Sequence, residues 1–288
     1  MPGAAQPAAA VNRAPTHVHA VGSGPPVLLL HGSGPGTTAW RAWRPLCEAL
    51  ADRFELIAPD QAGFGVSPLP AGRRGERRAG RALWVEQAIR FMDTLGHERY
   101  AIVGHSMGGA VALAVAAARP DSVRAVVGIG SMGAPMPLPD GLDRLWAARP
   151  TRSGAEEVLG LIEPGPSSRA DSPAAAASPP DPATVEDRLE AMLAQGEEGY
   201  AALFPPPRER WVADLGLRES EWDRVTARVL LVHGARDQIV PLRDGALPLV
   251  ERLPRADLHV LGDCGHSPHL ARPDVVHRLL ADHLEIDA

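Results

Sequence analysis

The run Gly104-His105-Ser106-Met107-Gly108-Gly109 follows the apolar stretch Ala101-Ile102-Val103. It leads into an Ala/Val/Leu-rich segment that closes at Arg119-Pro120. A serine at a sharp strand-to-helix turn holds its hydroxyl clear of the backbone, and flanking glycines remove the Cβ atoms that would clash there. Such a hydroxyl is a poor nucleophile near neutral pH. It needs a base within hydrogen-bond reach and an acid to orient that base. Both stand further along the chain. The apolar run 229–232 leads into His233-Gly234-Ala235-Arg236-Asp237, and the run 258–261 leads into Gly262-Asp263-Cys264-Gly265-His266. The predicted chemistry is attack of Ser106 on a carbonyl, with His266 as the general base and Asp237 holding the imidazole tautomer.

A further Gly-rich loop, His31-Gly32-Ser33-Gly34-Pro35-Gly36, comes directly after the first apolar run. Its expected task is to turn a backbone N–H, that of Ser33 or Gly34, toward the developing oxyanion. The N–H of Met107 at a helix N-terminus supplies the second donor. Other groups nearby read as structural. His31 is expected to shape its loop, and His269 sits where a helix ahead of Pro273 begins. Asp263 is the rival acid, but it stands too near His266 in sequence for the usual order of serine, acid and histidine.

Positioning these groups requires a scaffold whose strand ends converge. Six short apolar runs fit strands, at 27–30, 56–58, 101–103, 126–129, 229–232 and 258–261. They are continuous rather than alternating, as in strands covered on both faces. Helical stripes lie between them. Val85, Ile89 and Met92 form one, the segment 109–118 another, and Val276, Leu279, Leu280 and Leu284 after Pro273 a third. The alternation predicts an α/β fold, a mostly parallel, doubly wound sheet, with reactive groups at the C-terminal ends of its strands.

Between 135 and 222 the strand rhythm stops. Prolines are frequent, an Ala/Pro/Ser tract runs from 165 to 182, and 163–183 reads as a loose loop. One helix is expected at 185–195, with Val185, Leu189, Met192 and Leu193 on one side. The predicted organisation is a core of 16–134 and 223–288 with an inserted helical cap at 135–222. Residues 1–15 are Ala/Pro-rich and read as disordered. The arginine-rich stretch 73–81 reads as a solvated loop.

Composition narrows the function. The chain has 288 residues, a net charge of −6 and two cysteines. No basic surplus exists to neutralise phosphates, so nucleic acid is not expected as a partner. Two cysteines exclude a disulfide framework and fit a reducing compartment. The first residues lack the charged and apolar regions of a secretion signal, and no window approaches the ~20 apolar residues of a membrane span. The expectation is a cytoplasmic enzyme acting on a small molecule, with no metal or cofactor and no membrane partner. A homo-oligomer is left open.

Taken together, these motifs are similar to those of the meta-cleavage product hydrolases. These are α/β-hydrolases that cut a carbon–carbon bond in vinylogous diketones from aromatic ring fission. The stretches that carry the resemblance are LLLHGSGPGTTAW (28–40), APDQAGFGVS (58–67), VGHSMGG (103–109), VHGARDQIVPL (232–242) and PRADLHVLGDCGH (254–266). The resemblance implies a cap arginine that grips the substrate carboxylate. The segment Thr184–Leu189 matches that region, which gives the role to Arg188. It also implies substrate contact at the residue before the nucleophile and the residue after the histidine. Here these are His105 and Ser267, where the family usually carries Asn and Trp. Those two departures keep a second reading open, a carboxylesterase or lactonase acting on a small ester. A third is a ligand-binding protein that has lost its chemistry on the same fold.

Overall fold

The computed structural model describes residues 6–11, 14–70, 80–163 and 180–285. In chain order the first elements are β1 (Gln6–Val11), β2 (Ala14–Val21), β3 (Pro26–Leu30), α1 (Ala39–Leu50), β4 (Glu55–Pro59) and α2 (Arg81–Leu95). Then come β5 (Tyr100–His105), α3 (Met107–Ala118) and β6 (Val123–Ile129). The insertion carries α4 (Asp140–Ala147), α5 (Arg152–Ile162), α6 (Pro182–Gln195), α7 (Glu197–Ala201) and α8 (Glu209–Leu215). The chain closes with β7 (Arg228–Gly234), α9 (Ala246–Arg252), β8 (Ala256–Leu261), α10 (Pro268–Ala271) and α11 (Pro273–Glu285).

One sheet of eight strands results, in the order β1-β2-β4-β3-β5-β6-β7-β8. From β4 to β8 every neighbouring pair is parallel, while β2 runs antiparallel to β4 and β1 antiparallel to β2. The six apolar runs all lie in the parallel part. Their side chains divide by alternation. Leu28, Leu30, Ile102 and Val126 face the layer of α2, α3 and the cap, whereas Val27, Leu29, Val103 and Val127 face the layer of α1 and α11. In β3 to β7 both faces are covered, which is why those runs are apolar throughout, whereas β8 at the sheet edge carries His259 and leaves Val260 40% exposed. Helix α3 is buried along its length as far as Ala117. Its small side chains let it lie close to the sheet, and a helix apolar on all sides is one packed on all sides.

The N-terminal stretch is a correction. Residues 1–15 read as disordered, yet β1 occupies Gln6–Val11 and β2 begins at Ala14. Little in this Ala/Pro segment favours a strand by itself. The reason is tertiary: the backbone groups on the free edge of β2 need partners, and β1 supplies them. The Ala/Pro/Ser tract at 165–182 lies outside the described residues apart from its last three. So does the arginine-rich stretch 73–81 apart from Gly80 and Arg81. Arg81 is not solvated. It is buried, and its guanidinium meets Glu221 at 2.8 and 3.0 Å.

In the cap, α5 packs on α6, with Val185 and Met192 buried. Leu193, expected on the same face, is exposed at 58%. An aromatic group ties the cap to the core. Trp146 stacks on Phe204 at 4.3 Å, and Phe204 lies 6.0 Å from Trp84 of α2. The last part of the insertion, α8 and the turn Glu219–Arg224, already rests on α3.

Candidate active site

The turn between β5 and α3 is set by backbone geometry. Ser106 has φ 55° and ψ −119°, and among the described residues it is the one non-glycine with a positive φ. Such a conformation costs on the order of 1–3 kcal/mol and persists only where its surroundings impose it. Here the Ser106 N–H donates to Ile129 O at 2.9 Å, and Ser106 O accepts from Gly109 N at 2.9 Å and Met132 N at 3.1 Å. The turn leaves no room for neighbouring side chains. A Cβ on Gly108 would stand 2.1 Å from Leu30 O, and one on Gly104 would stand 2.3 Å from Gly108 O.

Asp237 lies in the turn beyond β7. Its Oδ1 accepts from the N–H groups of Ile239 and Val240, both at 2.9 Å. Its Oδ2 meets His266 Nδ1 at 2.8 Å and His233 Nε2 at 3.3 Å. Burial alone would raise this carboxyl's pKa. The neighbouring His266 and His233, with their hydrogen bonds, outweigh it and hold Asp237 well below the usual carboxylate range. An ionised carboxylate at Nδ1 fixes the proton on that nitrogen, leaving the Nε2 lone pair free to act as a base.

His266 follows β8 in a buried loop. Its N–H donates to Ile162 O at 2.7 Å, and its carbonyl accepts from His105 Nε2 at 3.0 Å. Ser106 and His266 line one cavity of about 60 Å³ between sheet and cap. Its walls also include Gly32, Ser33, Gly34, His105, Arg188 and Ser267. Thus the structure brings to one cavity every residue expected from the sequence except Asp237 and Met107, which lie behind His266 and beneath Ser106 respectively, both buried.

The Gly-rich loop after β3 is held partly by the cap. Trp146 Nε1 donates to Ser33 Oγ at 2.9 Å, and the Tyr200 hydroxyl donates to Ser33 O at 2.8 Å. His31 shapes this loop as expected. Its Nε2 accepts from Gln61 N at 3.0 Å, so its Nδ1–H donates to Gly32 O at 2.7 Å. Arg188 does not point into solvent. It is half-buried, and Nη1 donates to Pro35 O at 3.2 Å. Burial and the nearby Arg41 cation lower its pKa. Asp263 is directed away from the imidazole and pairs with Arg236.

Three further groups stand around these residues, of which the sequence marks only His269, as structural. His233 is the second imidazole on Asp237, four residues earlier in the chain. His269 is buried with both ring nitrogens lacking a partner. Its ring lies 4.6 Å from that of His105 and 5.0 Å from that of Trp43. Burial, then His266 and His277, lower its pKa to about 3, so it is neutral. Burial, then His269 and His266, likewise keep His105 neutral. The third is Glu163, at the end of α5.

Comparison with known proteins fits this geometry. A family model described as the alpha/beta hydrolase fold matches residues 25–273. The chain is 37% identical to the 2-hydroxymuconate semialdehyde hydrolase of Pseudomonas sp. strain CF600, covering 95% of this chain and 92% of that one. It is 35% identical to the 2-hydroxy-6-oxo-2,4-heptadienoate hydrolase of Pseudomonas putida, over 93% and 92%. Among solved structures, a meta-cleavage product hydrolase from Pseudomonas fluorescens IP01 superposes with a TM-score of 0.87 at 30% identity, covering 99% of each chain. The chain belongs to the α/β-hydrolase family. It is a hydrolase, and within the family it resembles the meta-cleavage product hydrolases, which cut C–C bonds.

Proposed function

We propose that the protein is a cofactor-free serine hydrolase that cleaves a carbon–carbon bond in a 2-hydroxy-6-oxo-dienoate. The observation that carries this reading is the 2.8 Å contact between His266 Nδ1 and Asp237 Oδ2 behind a cavity that Ser106 also lines. The substrate's dienol first tautomerises to the ketone. Ser106 Oγ then attacks the 6-oxo carbon while His266 Nε2 takes its proton. Asp237 stabilises the resulting imidazolium. The N–H of Met107, with that of Ser33 or Gly34, receives the oxyanion. The C–C bond breaks to a carbanion delocalised as a dienolate, which is protonated, leaving the acyl group on Ser106. Water activated by His266 releases that group as a carboxylic acid. Arg188 holds the substrate carboxylate, since its planar fork donates two parallel hydrogen bonds. His105 and Ser267 contact the dienol portion.

A carboxylesterase or lactonase is the alternative, favoured by His105 and Ser267 on the cavity wall where the resemblance leads one to expect Asn and Trp. Purified protein is to be given a synthetic ring-fission dienoate and a p-nitrophenyl ester. Loss of the dienolate absorbance at a rate well above that of ester hydrolysis is expected. Ester turnover without dienoate cleavage would transfer the assignment to the esterase. The two cysteines, Cys47 and Cys264, are free and buried, in keeping with a cytoplasmic location. No helix among the described residues is long and apolar enough to cross a membrane.

A further inference from the structure

The loop that carries His266 is fastened to the cap through three consecutive backbone N–H groups. Gly265 N donates to Glu163 Oε2 at 3.3 Å, His266 N to Ile162 O at 2.7 Å, and Ser267 N to Glu163 Oε1 at 3.1 Å. All three acceptors belong to one end of α5, more than a hundred residues away in sequence. The two oxygens of one carboxylate thus flank the histidine, one on each side. Within the core, the imidazole is fixed by a single side-chain bond, that to Asp237.

We propose that Glu163 is a positioning residue that clasps the His266 loop, so that the base is aligned only while the end of α5 is docked and the carboxylate is ionised. The proposal rests on His266 being the base. A carboxylate offers two acceptor oxygens to two N–H donors, and bonds to a charged acceptor are the stronger kind. A protonated carboxyl has turned one of those oxygens into an O–H donor, so one N–H loses its partner. The titratable groups around it are His266, Asp237 and the Cys264 thiol. Burial raises the Glu163 pKa, the two N–H donors and His266 oppose that rise, and Asp237 adds to it. The net rise means the clasp loosens at a higher pH than an ordinary carboxylate would require. Protonation of the clasp therefore adds one step to the loss of activity on the acid side.

The test is the rate at which a fluorophosphonate labels Ser106, followed from about pH 3.5 to about pH 9, a range that begins below the ordinary Glu value of about 4.3 and extends above the ordinary imidazole value of about 6.5. It is run on wild type, Glu163→Gln and Glu163→Asp, with kcat and KM for the dienoate measured in parallel. Glu163→Gln keeps the shape but puts an NH2 group against one N–H donor. It is expected to slow labelling and kcat about 10- to 100-fold, the scale of a 1 Å misplacement of a reacting group. KM should stay nearly constant, and the acid limb should flatten to one protonation. Glu163→Asp keeps the charge but is a methylene too short to span both donors. It should fall between the two and retain the steeper limb. Equal rates and an unchanged limb in Glu163→Gln overturn the clasp. So does a loss of rate in which the limb keeps its wild-type steepness, because a merely structural role predicts that pattern. Wild type that resists labelling altogether removes the serine–histidine reading, and the clasp with it.

Discussion

The rim of the sheet and the cap contribute to the same cavity by different means. At the rim, Ser106 and Asp237 are placed by tight turns at strand ends. Ser106 is forced to φ 55° by a turn too tight for any Cβ at Gly108, and Asp237 is held by N–H groups two and three residues further on. The cap works at long range, more often than not through side chains onto backbone. Trp146 and Tyr200 pin Ser33, Arg188 reaches Pro35, and Glu163 brackets His266. In the proposed reaction the rim therefore supplies the reacting groups, and the cap braces the Ser33 loop and the His266 loop around them. Damage to the first should remove the chemistry, and damage to the second should displace it.

Rim substitutions are expected to have the largest effects. Ser106→Ala should lower kcat by about 10⁴- to 10⁶-fold, as removal of a catalytic serine does elsewhere. Circular dichroism and thermal unfolding should be little changed. A near-normal kcat in that variant would place the reaction on another residue. Asp237→Asn should cost about 10⁴-fold in kcat, because an amide no longer enforces the Nδ1–H tautomer. Stopped-flow turnover of the dienoate reads both.

The same carboxylate carries a pH-dependent share of the stability. Its pKa is lower folded than unfolded. Its contribution is thus complete above the unfolded value, about 3.9 for Asp, and is lost as the pH falls toward the lower folded value. Wild type should lose stability in that acid window, and Asp237→Asn should not show this component in its acid-unfolding curve. Identical acid unfolding of the two proteins would refute the coupling.

Cap substitutions should be milder and different in kind. Arg188→Lys keeps the charge but not the fork, so KM for the dienoate should rise about 10- to 100-fold, the equivalent of losing one charge-assisted hydrogen bond of roughly 1.5–3 kcal/mol. Hydrolysis of a neutral ester should be unaffected. Equal losses on both substrates would mean that Arg188 serves the loop through Pro35 rather than the substrate. Tyr200→Phe removes one hydrogen bond to Ser33 O, worth about 1 kcal/mol, and should lower kcat by no more than several-fold. A larger drop would promote that loop from support to a principal part of the oxyanion site.

Much was legible in the residues alone because it is local. The continuous apolar runs marked the six parallel strands, five of them covered on both faces and the sixth, β8, partly exposed at the sheet edge. The Gly-His-Ser-Met-Gly turn, Asp237 and His266 could be picked out because each follows such a run at a short, fixed distance. Strand β1 could not, because its residues have no strong preference for strand and only the open edge of β2 gives them a reason to extend. The same holds for Arg81, which is drawn out of an apparently solvated arginine run to meet Glu221 on the far side of the insertion.

Chain pattern by itself thus determined the sheet and the turn, and singled out the serine, acid and imidazole that the proposed reaction uses, because short-range sterics and two-residue or 3.6-residue periodicity act within a few positions of each group. The tertiary structure alone decided that His233 shares Asp237, that Asp263 turns away to Arg236, and that Glu163 meets the His266 loop. The first two depend on how the loops after β7 and β8 fold over one another, and the third on how the cap settles on the sheet. No spacing within any one segment encodes that.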